Sequence, residues 1–144
     1  MAYKTRFYPK NVSKYIGDSN KIVCRSLWER KFCKYLDENI NIVRWSFEGV
    51  KVPYVSPLDK LPHNYIPDFL LEKKNKDGTI STIMVEIKPE KQTKKPILTE
   101  KVSKRTYSKN MEMFLVNQAK WSAAKQFCKE NSIEFLILTE KELL

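Results

Sequence analysis

Two short apolar runs of this chain each carry a carboxylate. Asp68 follows Pro67 in Tyr65-Ile66-Pro67-Asp68-Phe69-Leu70-Leu71. Glu86 lies in Ile80-Ser81-Thr82-Ile83-Met84-Val85-Glu86-Ile87-Lys88-Pro89. A carboxylate inside a β-like apolar run is costly to bury unless something compensates it. Alternate residues of a strand share a face, so Met84, Glu86 and Lys88 point one way, and Ile66, Asp68 and Leu70 likewise share a face. Asp77-Gly78 between the two runs is a hairpin signal. If the hairpin pairs them, Asp68 and Glu86 come close together. Two carboxylates that close repel, and a hard cation such as Mg²⁺, or Mn²⁺ in its place, resolves this. Such an ion polarises a phosphate and lowers the pKa of a bound water. Lys88 would orient that water or offset charge in the transition state, and the carbonyl of Ile87 offers a further oxygen ligand. The chemistry implied is hydrolysis of a phosphodiester. The competing reading is an ordinary exposed pair of Glu86 and Lys88 on a sheet face.

Further candidates are weaker as local signals. Ser26-Leu27-Trp28-Glu29 fits a capping box, with Ser26 as N-cap and Glu29 at the third helical position. Glu29 is equally an acidic residue that a helix could present to a metal, though one oxygen cannot fill both roles. Arg25 beside that helix start either holds a phosphate or is surface charge. His63 is the one histidine, in a Pro-rich turn, and reads as a loop residue rather than a general base. Trp28, Trp45 and Trp121 read as core. The tyrosines of residues 1–15, Tyr3, Tyr8 and Tyr15, either stack on bases or pack a basic arm onto the domain.

The elements that must position these groups follow from periodicity. Residues 1–24 look extended, a basic arm. A helix is predicted after Ser26, with Trp28, Phe32, Tyr35 and Leu36 inward, ending at Asn39-Ile40-Asn41. Short strands follow at 43–47 and 50–55, then a turn-rich connection over 56–64, and strands at 65–72 and 80–88. Residues 89–109 read as a basic, weakly patterned loop, long for a compact domain and so functional or mobile. A helix is expected from about Asn110 to Glu130, with Val116, Ala119, Ala123 and Phe127 as its core stripe. A strand at 133–138 and a short acidic helix close the reading. The class is α/β, a sandwich around a mixed sheet, in one domain.

Composition narrows the partner. The chain has 144 residues, enough for one core, and a net charge of +10. Residues 1–25 hold six basic residues against one acidic, and residues 73–109 hold eleven against four. These two segments carry the whole positive excess, which points to a polyanion. No apolar run approaches the roughly 20 residues of a spanning helix, and Met1-Ala2-Tyr3-Lys4 opens no signal peptide, so a membrane is not expected. Cys24, Cys33 and Cys128 are odd in number and form no C-x-x-C, which argues against disulfide and zinc frameworks and for a reducing cytoplasm.

The set Glu29, Pro67-Asp68 and Glu86-x-Lys88 resembles the PD-(D/E)XK nuclease superfamily, whose core is a restriction-endonuclease-like sandwich. Arg25-Ser26-Leu27-Trp28-Glu29-Arg30, Tyr65-Ile66-Pro67-Asp68-Phe69, Val85-Glu86-Ile87-Lys88-Pro89 and Asn117-Gln118-Ala119-Lys120-Trp121 together look like the head completion nucleases of T-even-type tailed phages. Those are related to the endonuclease subunit of heteromeric transposases. The resemblance implies Asp68 and Glu86 as metal ligands, Lys88 as the catalytic lysine and Glu29 as the helix carboxylate. It implies Gln118 near the scissile phosphate. It also implies double-stranded DNA as substrate, phage portal or neck proteins as partners, and the cytoplasm of an infected bacterium, or the virion, as the setting. No obvious partner-binding domain follows the core, which favours the phage member over the transposase subunit. A non-catalytic DNA-binding protein of the phage neck stays open. Lys91, Lys94, Lys95, Lys104 and Arg105 are the candidate phosphate contacts of the basic segment.

Overall fold

The computed structural model describes residues 4–143; Tyr3, counted above among the aromatic residues of the basic arm, lies outside them. The chain runs β1 (Thr5–Arg6), β2 (Val23–Cys24), α1 (Leu27–Glu38), β3 (Ile42–Phe47), β4 (Val52–Val55) and β5 (Pro62–Tyr65). It continues through β6 (Phe69–Lys74), β7 (Ile80–Ile87), α2 (Glu90–Thr93), α3 (Lys104–Glu130), β8 (Ile133–Leu138) and α4 (Glu140–Leu143). The central sheet has the order β3-β6-β7-β8. β3, β6 and β7 are antiparallel neighbours, and β8 is parallel to β7. This is the expected α/β arrangement, a mixed sheet flanked by helices. Gly78, at φ +89, makes the tight turn between β6 and β7, a conformation that L side chains resist.

Two apolar layers cover the sheet. On one face Phe32 and Leu36 of α1 meet Trp45, Phe69, Val85 and Ile87. On the other, Trp121, Ala124 and Cys128 of α3 meet Met84, with Val52 and Tyr65 of the β4–β5 hairpin. The alternation along β7 is therefore real: Val85 and Ile87 face α1, while Met84 faces α3. Phe69 is 1% exposed and lies edge-on to Phe32, so truncating it to alanine would cost about 3–5 kcal/mol.

Several boundaries differ from the sequence reading. Pro67-Asp68 is not inside a strand. Pro67 has no N–H to give a ladder, so the chain bends at Asp68 and β6 begins one residue later. Ile66 is correspondingly exposed rather than aligned with Leu70. His63 lies on β5, paired to Tyr54 of β4, not in a turn. Its Nε2 stands 2.7 Å from Asp59 Oδ2. The helix expected from Asn110 starts at Lys104, because Ser103 caps it by accepting from Thr106 N at 3.1 Å. The loop 89–109 thereby shrinks: its last six residues are helical, and α2 occupies Glu90–Thr93.

The buried stripe of α3 is Asn117, Trp121, Ala124 and Cys128, one or two residues on from Val116, Ala119, Ala123 and Phe127, which are only half-buried. One indole outweighs several alanines, so Trp121 sets the rotation of the helix. Similarly, Tyr35 is exposed on α1 and Cys33 is buried. The N-terminal segment is docked rather than free. Lys14 Nζ donates to the carbonyls of Leu36, Asp37 and Asn39, each at 2.9 Å. It supplies the cation that the last turn of α1 lacks. Asp37 in turn accepts from Lys10 N at 2.8 Å and Asn11 N at 3.0 Å. All three cysteines are free and buried. Among the described residues no helix is long and apolar enough to cross a membrane.

Candidate active site

β6 and β7 pair from Phe69↔Val85 onward. Ile87 therefore lies beyond the end of that ladder, and its N–H has no strand to donate to on the β6 side. The Asp68 carboxylate takes it: Ile87 N donates to Asp68 Oδ2 at 2.8 Å. Asp68 is held from behind as well, because its own carbonyl accepts from Glu48 N at 2.8 Å. Glu86 shares the α3 face with Met84 and is 6% exposed. Its Oε2 stands 3.7 Å from Lys88 Nζ. The sheet thus brings Asp68, Glu86, Ile87 and Lys88 together.

Burial pushes the Asp68 carboxyl up to about 8, helped by the nearby Glu86 charge and opposed by the Ile87 hydrogen bond. Burial raises Glu86 too, against the pull of Lys88. Glu86 Oε1, Tyr65 Oη and Trp121 Nε1 are buried polar atoms with no hydrogen-bond partner. All three belong to one neighbourhood, since Tyr65 is raised by burial and by the Glu86 charge and interacts with Trp121. The three groups lie against one another without closing a well-shaped hydrogen bond, so the Glu86 oxygen keeps acceptor capacity to offer. Two adjacent carboxylates with an orphaned oxygen fit a hard divalent cation. Among the described residues no three His, Cys, Asp or Glu side chains close on one point. The protein side of such a site is then Asp68 and Glu86, with backbone oxygen available from Ile87.

Glu29 divides its two oxygens between the roles read from sequence. Ser26 Oγ accepts from Glu29 N at 3.1 Å, and Glu29 Oε1 accepts from Arg25 N at 2.7 Å. The reciprocal cap is formed, one residue further out than the usual box. The same carboxyl is raised by burial, then by Glu48 and Glu86, and it in turn raises Asp68. Glu29→Gln keeps the amide oxygen for the cap and removes the charge. It is expected to leave unfolding stability within about 1 kcal/mol while lowering DNA cleavage. An unfolding curve beside a cleavage assay checks this, and wild-type cleavage would confine Glu29 to the cap.

Arg25 is half-spoken for. Its guanidinium pairs with Glu48 Oε2, and its pKa is raised first by that partner and then by Glu29 and Asp68. Glu48 is a site neighbour that the sequence does not signal. It sits at φ 54, a left-handed backbone unusual for a residue with a Cβ, and no short motif betrays that. Lys120 is a second such residue. It is half-buried and lowered by burial, then by Lys88. Its Nζ lies 5.8 Å from the Tyr65 ring centre and 6.0 Å from that of Tyr54. The shifted stripe of α3 explains both this and the place of Gln118: turning the helix by one residue brings Asn117 inward and leaves Gln118 exposed. Lys91, Lys94, Lys95, Lys104 and Arg105 are all exposed around α2 and the start of α3, with Lys94 Nζ 3.2 Å from Glu90 Oε1.

A family model described as TnsA-like endonuclease N terminal matches residues 39–140. The chain is similar to the head completion nuclease of Enterobacteria phage T4, 37% identical over 147 residues, which cover 99% of this chain and 95% of that protein.

Proposed function

This chain belongs to the TnsA-like endonuclease family, and from that premise we propose that it is a divalent-metal-dependent DNA endonuclease of PD-(D/E)XK type that acts on packaged phage DNA before tail joining. The observation that carries the reading is the orphaned Glu86 Oε1 beside a buried Asp68 whose carboxyl is pushed far up. Asp68, Glu86 and the Ile87 carbonyl would hold Mg²⁺, or Mn²⁺, which when bound polarises the phosphate and acidifies a water. The chain's own residues supply the rest. Lys88, tethered near Glu86, orients the attacking water and offsets the charge that builds on the phosphate oxygens. Lys120, desolvated against Tyr54 and Tyr65, adds a second cation on the α3 side. Glu29, through the oxygen its cap leaves free, holds the far side of the water. The water oxygen bonds to phosphorus as the bond to one ester oxygen breaks; the water gives up a proton and the leaving oxygen takes one up, so the products are a phosphate monoester and a hydroxyl.

Incubating the pure protein with plasmid, in Mg²⁺ and in EDTA, tests this. Cutting that requires the metal is expected. No cutting in either would leave a DNA-binding structural protein. The other alternative, an endonuclease subunit of a heteromeric transposase, would need a partner to cut; cutting by the chain alone counts against it. The near-complete coverage of the phage relative favours the phage reading.

The basic segment is the proposed grip on flanking DNA. Lys104 and Arg105 occupy the first turn of α3, which has no acidic residue. Cations there oppose the helix dipole, so helix stability does not explain them. Replacing Lys94, Lys95, Lys104 and Arg105 with alanine is expected to weaken duplex binding regardless of sequence. The slope of log K against log salt should flatten by roughly 0.9 for each phosphate that the variant no longer neutralises, with the melting temperature unchanged or slightly raised. An unaltered slope returns the docked N-terminal segment as the main grip on DNA.

A further inference from the structure

Between residues 91–102 and the first half of α3 lies a groove of about 600 Å³ that the cleavage chemistry does not use. This is within the roughly 300–1,000 Å³ of pockets that take organic ligands. Its rim carries Lys91, Lys94 and Lys95, its walls include Tyr107 and Phe114, and Asn117 closes its inner end. Asn117 is the informative member. It is 6% exposed as a residue, and it lines the groove. It also stands three positions before Lys120, so one helical turn separates the inner end of the groove from the cation over the Tyr54 and Tyr65 rings.

We propose that this groove holds an unstacked nucleotide of the DNA strand next to the cut, the base lying against Tyr107 and Phe114 with its edge on the Asn117 amide, and the flanking phosphates on Lys91, Lys94 and Lys95. The proposal deepens the endonuclease reading of the neighbouring site and rests on it for the strand's path. The chemistry suits a nucleotide better than other polyanions. An amide offers one donor and one acceptor side by side, the pattern that pairs with a base edge, adenine above all. Aromatic walls bind any base face, at about 1–3 kcal/mol per base. A cationic rim over an apolar interior matches a ligand that is anionic along one side and flat and apolar along the other.

The test uses the full chain with Asp68→Asn, so that DNA is not consumed. A short fluorescent oligodeoxyadenylate and an abasic strand of the same length are titrated by anisotropy. The base-bearing strand is expected to bind about tenfold or more tighter, the equivalent of one stacked base. Asn117→Ala, and separately Phe114→Ala, should erase that preference without changing the salt slope, since the lysines remain. Phe114 is only half-buried, so its variant keeps the test informative should the Asn117 variant fold poorly. Equal affinity for the two strands, or variants that keep the preference, would overturn the proposal. So would competition by polyglutamate as strong as by oligodeoxyadenylate, which would identify an acidic-peptide groove. Wild-type cutting of plasmid is assayed in parallel. Cutting without base preference sinks the groove alone, and base preference without cutting sinks the endonuclease reading alone.

Discussion

Asp68→Asn is expected to abolish Mg²⁺-dependent cutting and, in EDTA at pH 8, to melt at a higher temperature than the wild type. The loss should be roughly 10³-fold or more, the scale of several kcal/mol of charge stabilisation removed. The gain in stability follows from the sign of the linkage. Asp68 is raised from its ordinary 3.8 to about 8, so between those values the folded chain binds a proton that the unfolded chain has released. Stability from this group is therefore full below about pH 4 and declines as the pH rises toward 8. An asparagine never ionises and escapes the decline. Adding Mg²⁺ should reverse it in the wild type, raising the melting temperature more at pH 8 than at pH 5, where protons compete for the same carboxylates. Glu86→Gln should lose activity in the same way. Melting curves at the two pH values, with and without Mg²⁺, check the assignment without reference to turnover. Wild-type cutting by either variant, or a metal-induced shift that survives Asp68→Asn, would remove these residues from the cation site.

Lys88→Ala should lower the cleavage rate by roughly 10²-fold or more, the usual effect of removing a positioned proton-transfer or charge-stabilising group. DNA affinity should change little, because the ammonium is engaged near Glu86 and only 27% exposed. Metal-induced stabilisation should persist, since Lys88 is no ligand. Lys88→Arg keeps the charge but not the compact ammonium, so partial recovery would indicate charge stabilisation and none would indicate placement of the water. Binding that falls in step with rate would reduce Lys88 to a phosphate contact.

The site is legible in the sequence where chemistry and strand alternation agree. Glu86 and Lys88 can be placed on one face because β7 is regular and long, and Asp77-Gly78 announces the turn that pairs it with β6. The strand reading of Asp68 is only partly right. Asp68 lies not within a strand but at the bend that starts one, where its side chain stands in for the missing ladder partner of Ile87. Pro67 carries that information, since proline cannot donate. What local pattern does not reveal depends on rotation and on backbone strain. Small apolar residues suggest one stripe for α3, and the single indole of Trp121 turns the helix by one position, exchanging Gln118 for Asn117 and Lys120. Glu48 joins the site through a left-handed backbone that no residue type there signals. The sequence leaves open whether the N-terminal segment is free or packed onto the domain, because its capping of α1 is made by Lys14 across the fold, a contact that no local pattern can show.

The order of strands in the sheet sets when Lys88 is fixed in place. The last residues of β7 are paired not with their hairpin partner but with β8, Glu86 opposite Ile137 and Ile87 opposite Leu138. Lys88 N donates to Leu138 O at 2.9 Å. A nascent chain grown past Lys88 already owns Asp68, Glu86 and both ends of the hairpin, yet it lacks the strand that fixes the lysine and the helix that covers the carboxylates. Synthesis proceeds from the N-terminus, so the end of β7 and Lys88 gain this strand partner only after residues 133–138 have emerged. The parallel pairing thus makes the fixing of Lys88 depend on a strand more than forty residues further along the chain.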